Sequence, residues 1–351
     1  MTGQQRKLAN WFQRAAWATS ILGLYACQNL GLNISPPAPL ALPSTKLVEK
    51  AVDADQVSPQ SLVHRWIVSP DEARWLVQQG ATLLDARADH LKLRGTLQGA
   101  IAVTWQQFSQ TKPASHGLLL SDNARLTQRL RQAGVWQNRP VVVVADPVRG
   151  WGEDGRIVWM LRSLGHTQAV MVDGGYEAIA AAGIPVGRTI RRAAPTPGDF
   201  TIRRVSDWEI QREELRRLLA DASRAAAPKD FSESPSVVII DVREDREFFG
   251  ATPYGEARSG HIPGAIHLHY RDLLDDRGAV LPRAEILNIL RAKGIPANAQ
   301  ILTYCTAGVR AGWFTAVLAN AGFRVKNYAG SMLEWSSFPA NAYPLTQGDR
   351  P

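Results

Sequence analysis

The chain carries the same run of helices and strands twice, and this internal repeat limits the fold more than any other feature. The first copy opens with "SPDEARWLVQQGATLLDAR", which has the pattern of a capped amphipathic helix and an apolar strand ending in Asp-x-Arg. The second copy has "EELRRLLADAS", a polar insertion and "SVVIIDVRE". Further along, "LTQRLRQAGVWQNRPVVVVAD" corresponds to "ILNILRAKGIPANAQILTYCT". Two units of one topology are therefore predicted.

Each copy alternates helical patterns with fully apolar strands such as "VVVVA" and "SVVIID". Strands that are apolar on both faces and separated by helices indicate a parallel sheet covered on both sides. The predicted fold class is α/β, with two domains side by side, and a chain of 351 residues is long enough for both. The predicted domains span 66–190 and 203–346, joined by an Arg/Pro-rich linker at 191–202.

Residues 1–34 have the pattern of an export segment. Basic residues precede "AAWATSILGLYA", an apolar core of about a dozen residues that is short for a membrane span. The core ends in "LYAC", which resembles a bacterial lipobox with Cys27 as the lipidated residue; an ordinary cleaved signal and an uncleaved anchor stay open as alternatives. Residues 35–65, which are rich in proline at their start, are predicted to be an extended tether. We expect a periplasmic or membrane-tethered protein.

The composition argues against several classes of function. The chain has 40 Lys and Arg residues against 32 Asp and Glu, but they are scattered and do not alternate with aromatic residues, so nucleic-acid binding is not expected. Two cysteines form neither a disulfide framework nor a zinc-binding pattern. His267 and His269 fit alternating strand positions better than metal ligation. No metal or organic cofactor is expected.

The stretch "TYCTAGVRAG" places Cys305 between an apolar strand and a helix of small residues. Backbone N–H groups at a helix N-terminus lack intrahelical partners, and ligands bind at the carboxyl edge of a parallel sheet. Such a setting stabilises a thiolate, which is the nucleophilic form of cysteine. The residues expected to bind the substrate around it are Thr306, Ala307, Gly308, Val309 and Arg310. The alternative is a buried structural cysteine.

Three motifs, "DVRE…SGHIPGA", "CTAGVRAG" and "YAGSMLEW", give the chain a resemblance to the tandem-domain rhodaneses, a family of sulfurtransferases. The resemblance covers Ser69 to Leu345. It implies two rhodanese-like domains, with the second catalytic. Cys305 would take sulfur from an anionic donor as a persulfide and pass it to a thiol or cyanide acceptor.

The resemblance leaves two sulfur donors open. Thiosulfate is preferred and 3-mercaptopyruvate is the alternative. A second class of function is a persulfide-carrying or redox-sensing module with little turnover. Turnover of small donors needs Arg310 and an open cleft, whereas a sensor needs only the thiol. The spacing argues against a phosphatase, because phosphatases use Cys-x5-Arg, one residue longer than the Cys-x4-Arg of this chain.

The resemblance also assigns supporting residues. Asp241 and Arg243 are expected to be a structural pair that braces the edge of the site, and His261 a hydrogen-bonding turn residue. Where thiosulfate-using relatives carry an arginine that binds the donor, this chain has Glu247, with Arg246 one residue earlier. Arg246 is expected to substitute, unless the pocket takes a different donor.

The first domain has lost the chemistry. Ala145 and Asp146 stand where the repeat would place the cysteine, and an aspartate cannot carry sulfur. The resemblance implies that this domain contributes shape and one wall of an interdomain cleft. Arg149 and Arg156 are expected on the surface, with the cleft as the alternative.

Overall fold

The protein is represented by a computed structural model that describes residues 57–187, 196–224 and 237–347. Cys27, the predicted export segment and most of the predicted tether lie outside these residues. The predicted end of the tether at residue 65 is corrected, because helix α1 (Pro59–Leu62) falls within it. Val57 and Leu62 are buried in the same hydrophobic cluster as the first sheet. The folded body therefore includes residue 57.

The first half of the body is built on a five-stranded sheet in the order β1-β6-β5-β2-β4, in which all paired strands are parallel. A separate antiparallel pair joins β3 to β7. The strands are β1 (Ile67–Val68), β2 (Thr82–Asp85), β3 (Thr96–Leu97), β4 (Ile101–Ala102), β5 (Val141–Val144), β6 (Ala169–Val172) and β7 (Val186–Gly187). All four valines of β5 are buried, as expected for a strand covered on both faces.

The helices of this half are α2 (Pro70–Gln78), α3 (Asp89–Lys92), α4 (Asn123–Gln132), α5 (Glu153–Ser163) and α6 (Gly175–Ala181). Two 3-10 helices, Trp105–Phe108 and Pro113–Ser115, connect β4 to α4. Helix α2 begins where the sequence indicates, because Ser69 and Glu72 form a capping box at its N-terminus.

The second half repeats this plan with a four-stranded parallel sheet in the order β11-β10-β8-β9. Its strands are β8 (Val237–Asp241), β9 (Ile266–His267), β10 (Gln300–Tyr304) and β11 (Arg324–Asn327). Its helices are α7 (Arg212–Arg224), α8 (Asp245–Phe248), α9 (Arg283–Ala292), α10 (Val309–Asn320) and α11 (Ser331–Trp335), with a 3-10 helix at Tyr270–Leu273. The prediction of parallel sheets flanked by helices is confirmed.

The register brings the carboxyl ends of β8 and β10 together, because Asp241 lies opposite Tyr304. The residues that follow these two strands therefore meet at one edge of the sheet. Within the described ranges, no helix is both long enough and apolar enough to cross a bilayer.

The two halves share one hydrophobic core, which includes Val143 of the first sheet and Ile240 of the second. Helices α5 and α10, which correspond to each other in the repeat, pack together at its centre. The approach is close because glycines face the partner helix: a Cβ added to Gly155 would lie 2.5 Å from the Cα of Trp313. The joint between the halves thus depends on residues with no side chain.

Gly155→Ala is expected to lower the free energy of unfolding by about 1–3 kcal/mol, because the added methyl group collides with backbone. A lower free energy of unfolding would be informative, since helix propensity alone favours alanine over glycine by ~1 kcal/mol. Gly187→Ala is the matched control, because its φ is ordinary and the nearest atom to an added Cβ lies 4.0 Å away. Urea denaturation measures both. An unchanged or raised stability in Gly155→Ala would show that the helices can separate at little cost.

Candidate active site

Cys305 lies directly after strand β10, in a short loop that leads into helix α10. Gly308 makes the turn possible, because it takes the left-handed conformation (φ 69°) as the residue before the helix. Among the described residues, the backbone N–H groups of Thr306 through Ala311 donate to no protein acceptor. These groups are available to an anion held in the loop.

Helix α11 holds Cys305 from the other side. The N–H of Cys305 donates to the hydroxyl of Ser331 at 3.1 Å, and its carbonyl accepts the N–H of Met332 at 3.0 Å. Ser331 is the one non-glycine residue in the described part of the chain with a positive φ, 52°. Such a conformation costs roughly 1–3 kcal/mol and persists where surrounding structure enforces it. Ser331 could not be identified from the sequence, since a serine after glycine carries no distinctive signal.

Arg310 forms a buried ion pair with Glu247, the residue that departs from the family pattern. Its two terminal nitrogens donate to the two carboxylate oxygens at 2.6 and 2.8 Å, and one also donates to the Thr306 hydroxyl at 2.6 Å. The same hydroxyl donates to Glu247 at 2.6 Å. Burial alone would raise the pKa of Glu247, but the bonds and charge of Arg310 outweigh it and leave the pKa below its ordinary value.

Arg310 and Arg246, both expected to bind the substrate, have partners within the protein, and their roles toward a donor stay predictions. The terminal nitrogens of Arg310 hold the loop to Glu247. Arg246 is 56% exposed, and its guanidinium bonds Glu244 and the hydroxyl of Tyr254. Tyr254 packs edge-on against Trp151, with ring centroids 4.9 Å apart. The guanidinium of Arg310 lies 5.1 Å from the Trp151 ring, so this tryptophan of the first domain covers it.

Asp241 and Arg243 lie behind the loop as a buried bidentate pair, with a shortest distance of 2.7 Å. Arg243 also donates to the carbonyl of Gly260 at 2.8 Å, which ties strand β8 to the "SGHIPGA" segment. In that segment His261 stacks on Phe248 and shares a 3.1 Å hydrogen bond with its carbonyl. These three side chains brace the edge of the site.

The corresponding loop of the first domain is closed by its own carboxylate. Asp146 accepts the N–H groups of Val148 and Arg149 at 3.0 and 2.8 Å and forms an ion pair with the Arg149 guanidinium at 2.9 Å. An anion belonging to the chain therefore occupies the loop amides that the second domain leaves free.

Arg156 does not lie on the surface, as the sequence had suggested, but is 1% exposed. It donates to the carbonyl of Gly117 at 2.6 Å and to that of Gly308, in the cysteine loop, at 3.3 Å. Burial lowers its pKa to about 10, and the charges of Cys305 and Glu209 oppose this shift. The first domain thus places a buried cation against the reactive loop of the second.

The thiol itself is covered in this conformation, because Cys305 is only 1% exposed. Gly117 lies over the loop: a Cβ added to it would be 2.1 Å from the Ala329 carbonyl oxygen and 2.9 Å from Ala307. Two cavities, of about 650 and 190 Å³, are lined by other residues around α4 and α6. Entry of a donor therefore requires the covering segment to move. No cluster of potential metal ligands occurs in the described ranges.

The chain belongs to the rhodanese family. The rhodanese-like domain of that family matches twice, at residues 69–182 and 225–338. These two matches and the two helix-flanked sheets confirm the prediction of a tandem arrangement.

This chain matches its curated relatives over most of the length of those relatives. A thiosulfate sulfurtransferase of Pseudomonas aeruginosa is 30% identical over 259 residues, which is 73% of this chain and 88% of the relative. A putative thiosulfate sulfurtransferase of Mycobacterium tuberculosis is 30% identical over 287 residues, which is 80% of this chain and 91% of the relative. The solved structure of a 3-mercaptopyruvate sulfurtransferase from Leishmania major superimposes with a TM-score of 0.62 at 22% sequence identity. The match covers 78% of this chain and 75% of that one. The structural likeness shows a shared fold.

Proposed function

We propose that this rhodanese-type protein transfers sulfane sulfur from thiosulfate to a thiol or cyanide, with Cys305 as the carrier. One observation supports it most strongly: within the described ranges, the six backbone N–H groups that follow Cys305 have no protein acceptor. The curated relatives from Pseudomonas aeruginosa and Mycobacterium tuberculosis, each 30% identical, are named for thiosulfate. The lipobox hypothesis for Cys27 stays a prediction from the sequence.

In the first step the Cys305 thiolate attacks the outer sulfur of thiosulfate. The S–S bond of the donor breaks, sulfite leaves with the bonding electron pair, and Cys305 holds a persulfide anion. In the second step cyanide or a thiolate attacks the outer persulfide sulfur, and the electron pair of the broken S–S bond restores the Cys305 thiolate. Neither step needs a proton transfer.

The loop serves both steps in the same way. The free N–H groups after Cys305 stabilise the thiolate before transfer and the persulfide anion after it, and they are already oriented by the fold. The ion pair of Arg310 with Glu247 fixes the far end of the loop, and Ser331 fixes Cys305 itself. The loop, held in place at both ends, therefore stabilises the negative charge in both steps.

A second candidate is a persulfide carrier that exchanges sulfur with a partner but turns over small donors poorly. The covered sulfur of Cys305 and the engagement of Arg310 by Glu247 favour it. In that case the covering segment near Gly117 would move only when the partner binds. The two candidates share the same persulfide and differ in the rate of loading by free thiosulfate.

Incubation with thiosulfate is expected to add one sulfur atom to Cys305, visible by intact-protein mass spectrometry, and cyanide is expected to remove it as thiocyanate. Incubation with 3-mercaptopyruvate is the comparison. Loading by mercaptopyruvate alone would overturn the choice of donor. Rapid loading without repeated turnover would favour the carrier, and loading by neither compound would contradict sulfur transfer.

A further inference from the structure

Arg156 is a charged residue of the non-catalytic domain that lies buried against the catalytic loop. It projects from helix α5, at the joint with α10, and is 1% exposed. Among the described residues, its three hydrogen bonds go to the carbonyls of Gly117 and Gly308 and the hydroxyl of Ser109, and none to a carboxylate. A buried guanidinium without an ion-pair partner is costly, so its position calls for a compensating charge.

The contact with Gly308 orients the loop. The carbonyl of Gly308 accepts bonds from Arg156 and from the Asn327 side chain, both at 3.3 Å. In a planar trans peptide the C=O and the following N–H point in opposite directions. The N–H of Gly312 also donates to the Gly308 carbonyl at 3.1 Å, so Arg156 and Asn327 help the helix to turn the N–H of Val309 to the other side of the peptide. Among the described residues, that N–H has no protein acceptor.

Among the described residues Arg156 has no direct ion-pair partner, and the anionic groups that act on it are Cys305 and Glu209. Two buried ion pairs are neutral overall, Glu247 with Arg310 and Asp241 with Arg243. Arg212 is shared between Glu334 and Glu213. The remaining titratable groups that act on Arg156 or on its surroundings are Cys305, Glu209 and His116. Burial raises the pKa of Glu209, which the charge of Arg156 opposes, and burial lowers the pKa of His116. Glu209 and the Cys305 thiolate are thus the two candidate counter-charges of Arg156.

We propose that Arg156 is a positioning residue for the Cys305 reaction, supplied by the domain that has lost its own chemistry. It holds the Gly308 peptide and provides a buried positive charge that stabilises the Cys305 thiolate and the persulfide anion. The role in the persulfide step rests on the proposed sulfur transfer, but the role toward the thiolate does not. The first domain thereby takes part in the reaction electrostatically.

The test is the pH dependence of Cys305 alkylation by iodoacetamide in the full chain, read on the Cys305 peptide by mass spectrometry so that Cys27 does not contribute. Arg156→Met is expected to move the midpoint of the profile upward and to slow alkylation at neutral pH by about tenfold or more. Arg156→Lys, which keeps the charge, is expected to stay near the wild-type midpoint. This readout needs no sulfur donor, so it is independent of the proposed function.

Arg162→Met is the matched control. Arg162 lies on the same helix, is buried, and donates to the carbonyls of Leu62 and Val63, away from the loop. It should cost stability without moving the alkylation profile. If Arg156→Met does not fold, Arg156→Gln, which keeps N–H donors but loses the charge, should show the same upward movement. A wild-type profile in either neutral variant, or an equal movement in Arg162→Met, would overturn the proposal.

Discussion

Cys305→Ser is expected to form no detectable thiocyanate from thiosulfate and cyanide, a loss of at least ~10⁴-fold in turnover. A serine hydroxyl stays protonated at neutral pH and cannot take up sulfur as a persulfide, so both steps of the reaction are removed. Cys305 is the one free cysteine of the described residues, and no neighbouring thiol there can replace it. The measurement is thiocyanate release, paired with the intact mass after thiosulfate.

Cys27→Ser is the matched control, since it removes the other cysteine of the chain outside the catalytic half. It should keep wild-type turnover. The Cys305→Ser variant should also keep the wild-type thermal midpoint within a few degrees, because serine is nearly isosteric with cysteine. Thiocyanate release at the wild-type rate in Cys305→Ser would refute the assignment of the nucleophile.

The sequence was sufficient for the features that depend on local pattern. The repeat and the apolar strands predicted two parallel α/β sheets, because helix and strand periodicity can be read over a few residues. The place of Cys305 between a strand and a helix followed from the same reading. Local pattern could not locate the tether boundary, since the burial of Val57 depends on packing against distant residues.

The contacts of the site could not be read in this way, because they join distant parts of the chain. Glu247 and Arg310 are 63 residues apart. In the sequence, Glu247 was noticeable only because it replaces an arginine of thiosulfate-using relatives. Arg156 and Gly308 are 152 residues apart and belong to different copies of the repeat. A composition or spacing argument favours the surface for any isolated arginine. Only the packing of α5 on α10 shows that this one is buried.

The second large effect is expected on stability, at the ion pair that anchors the loop. Glu247→Ala should lower the free energy of unfolding by about 3–5 kcal/mol, because it leaves the Arg310 guanidinium buried and unpaired. Glu214→Ala is the matched control: its pair with Lys326 is partly exposed at 3.8 Å, so its loss should cost at most about 1 kcal/mol. Urea denaturation at neutral pH measures both variants. A Glu247→Ala protein as stable as the control would show that the pair contributes nothing.

The pair also predicts a pH dependence. The folded-state pKa of Glu247 lies below its ordinary value of 4.5, so the stabilisation is fully present above pH 4.5 and is lost as the pH falls through the folded value. Glu247→Ala should therefore lose less stability than the wild type over that acid range.

Glu247→Leu combined with Arg310→Met separates the unpaired charge from the loss of packing. If the cost of the single variant comes from a buried charge, removing both charges should recover most of it, since apolar side chains of similar volume replace a buried ion pair well. The double variant should nevertheless transfer sulfur more slowly than the wild type, because Thr306 then loses both partners that orient the loop. A double variant no more stable than Glu247→Ala would mean that shape, and not charge, holds the loop in place.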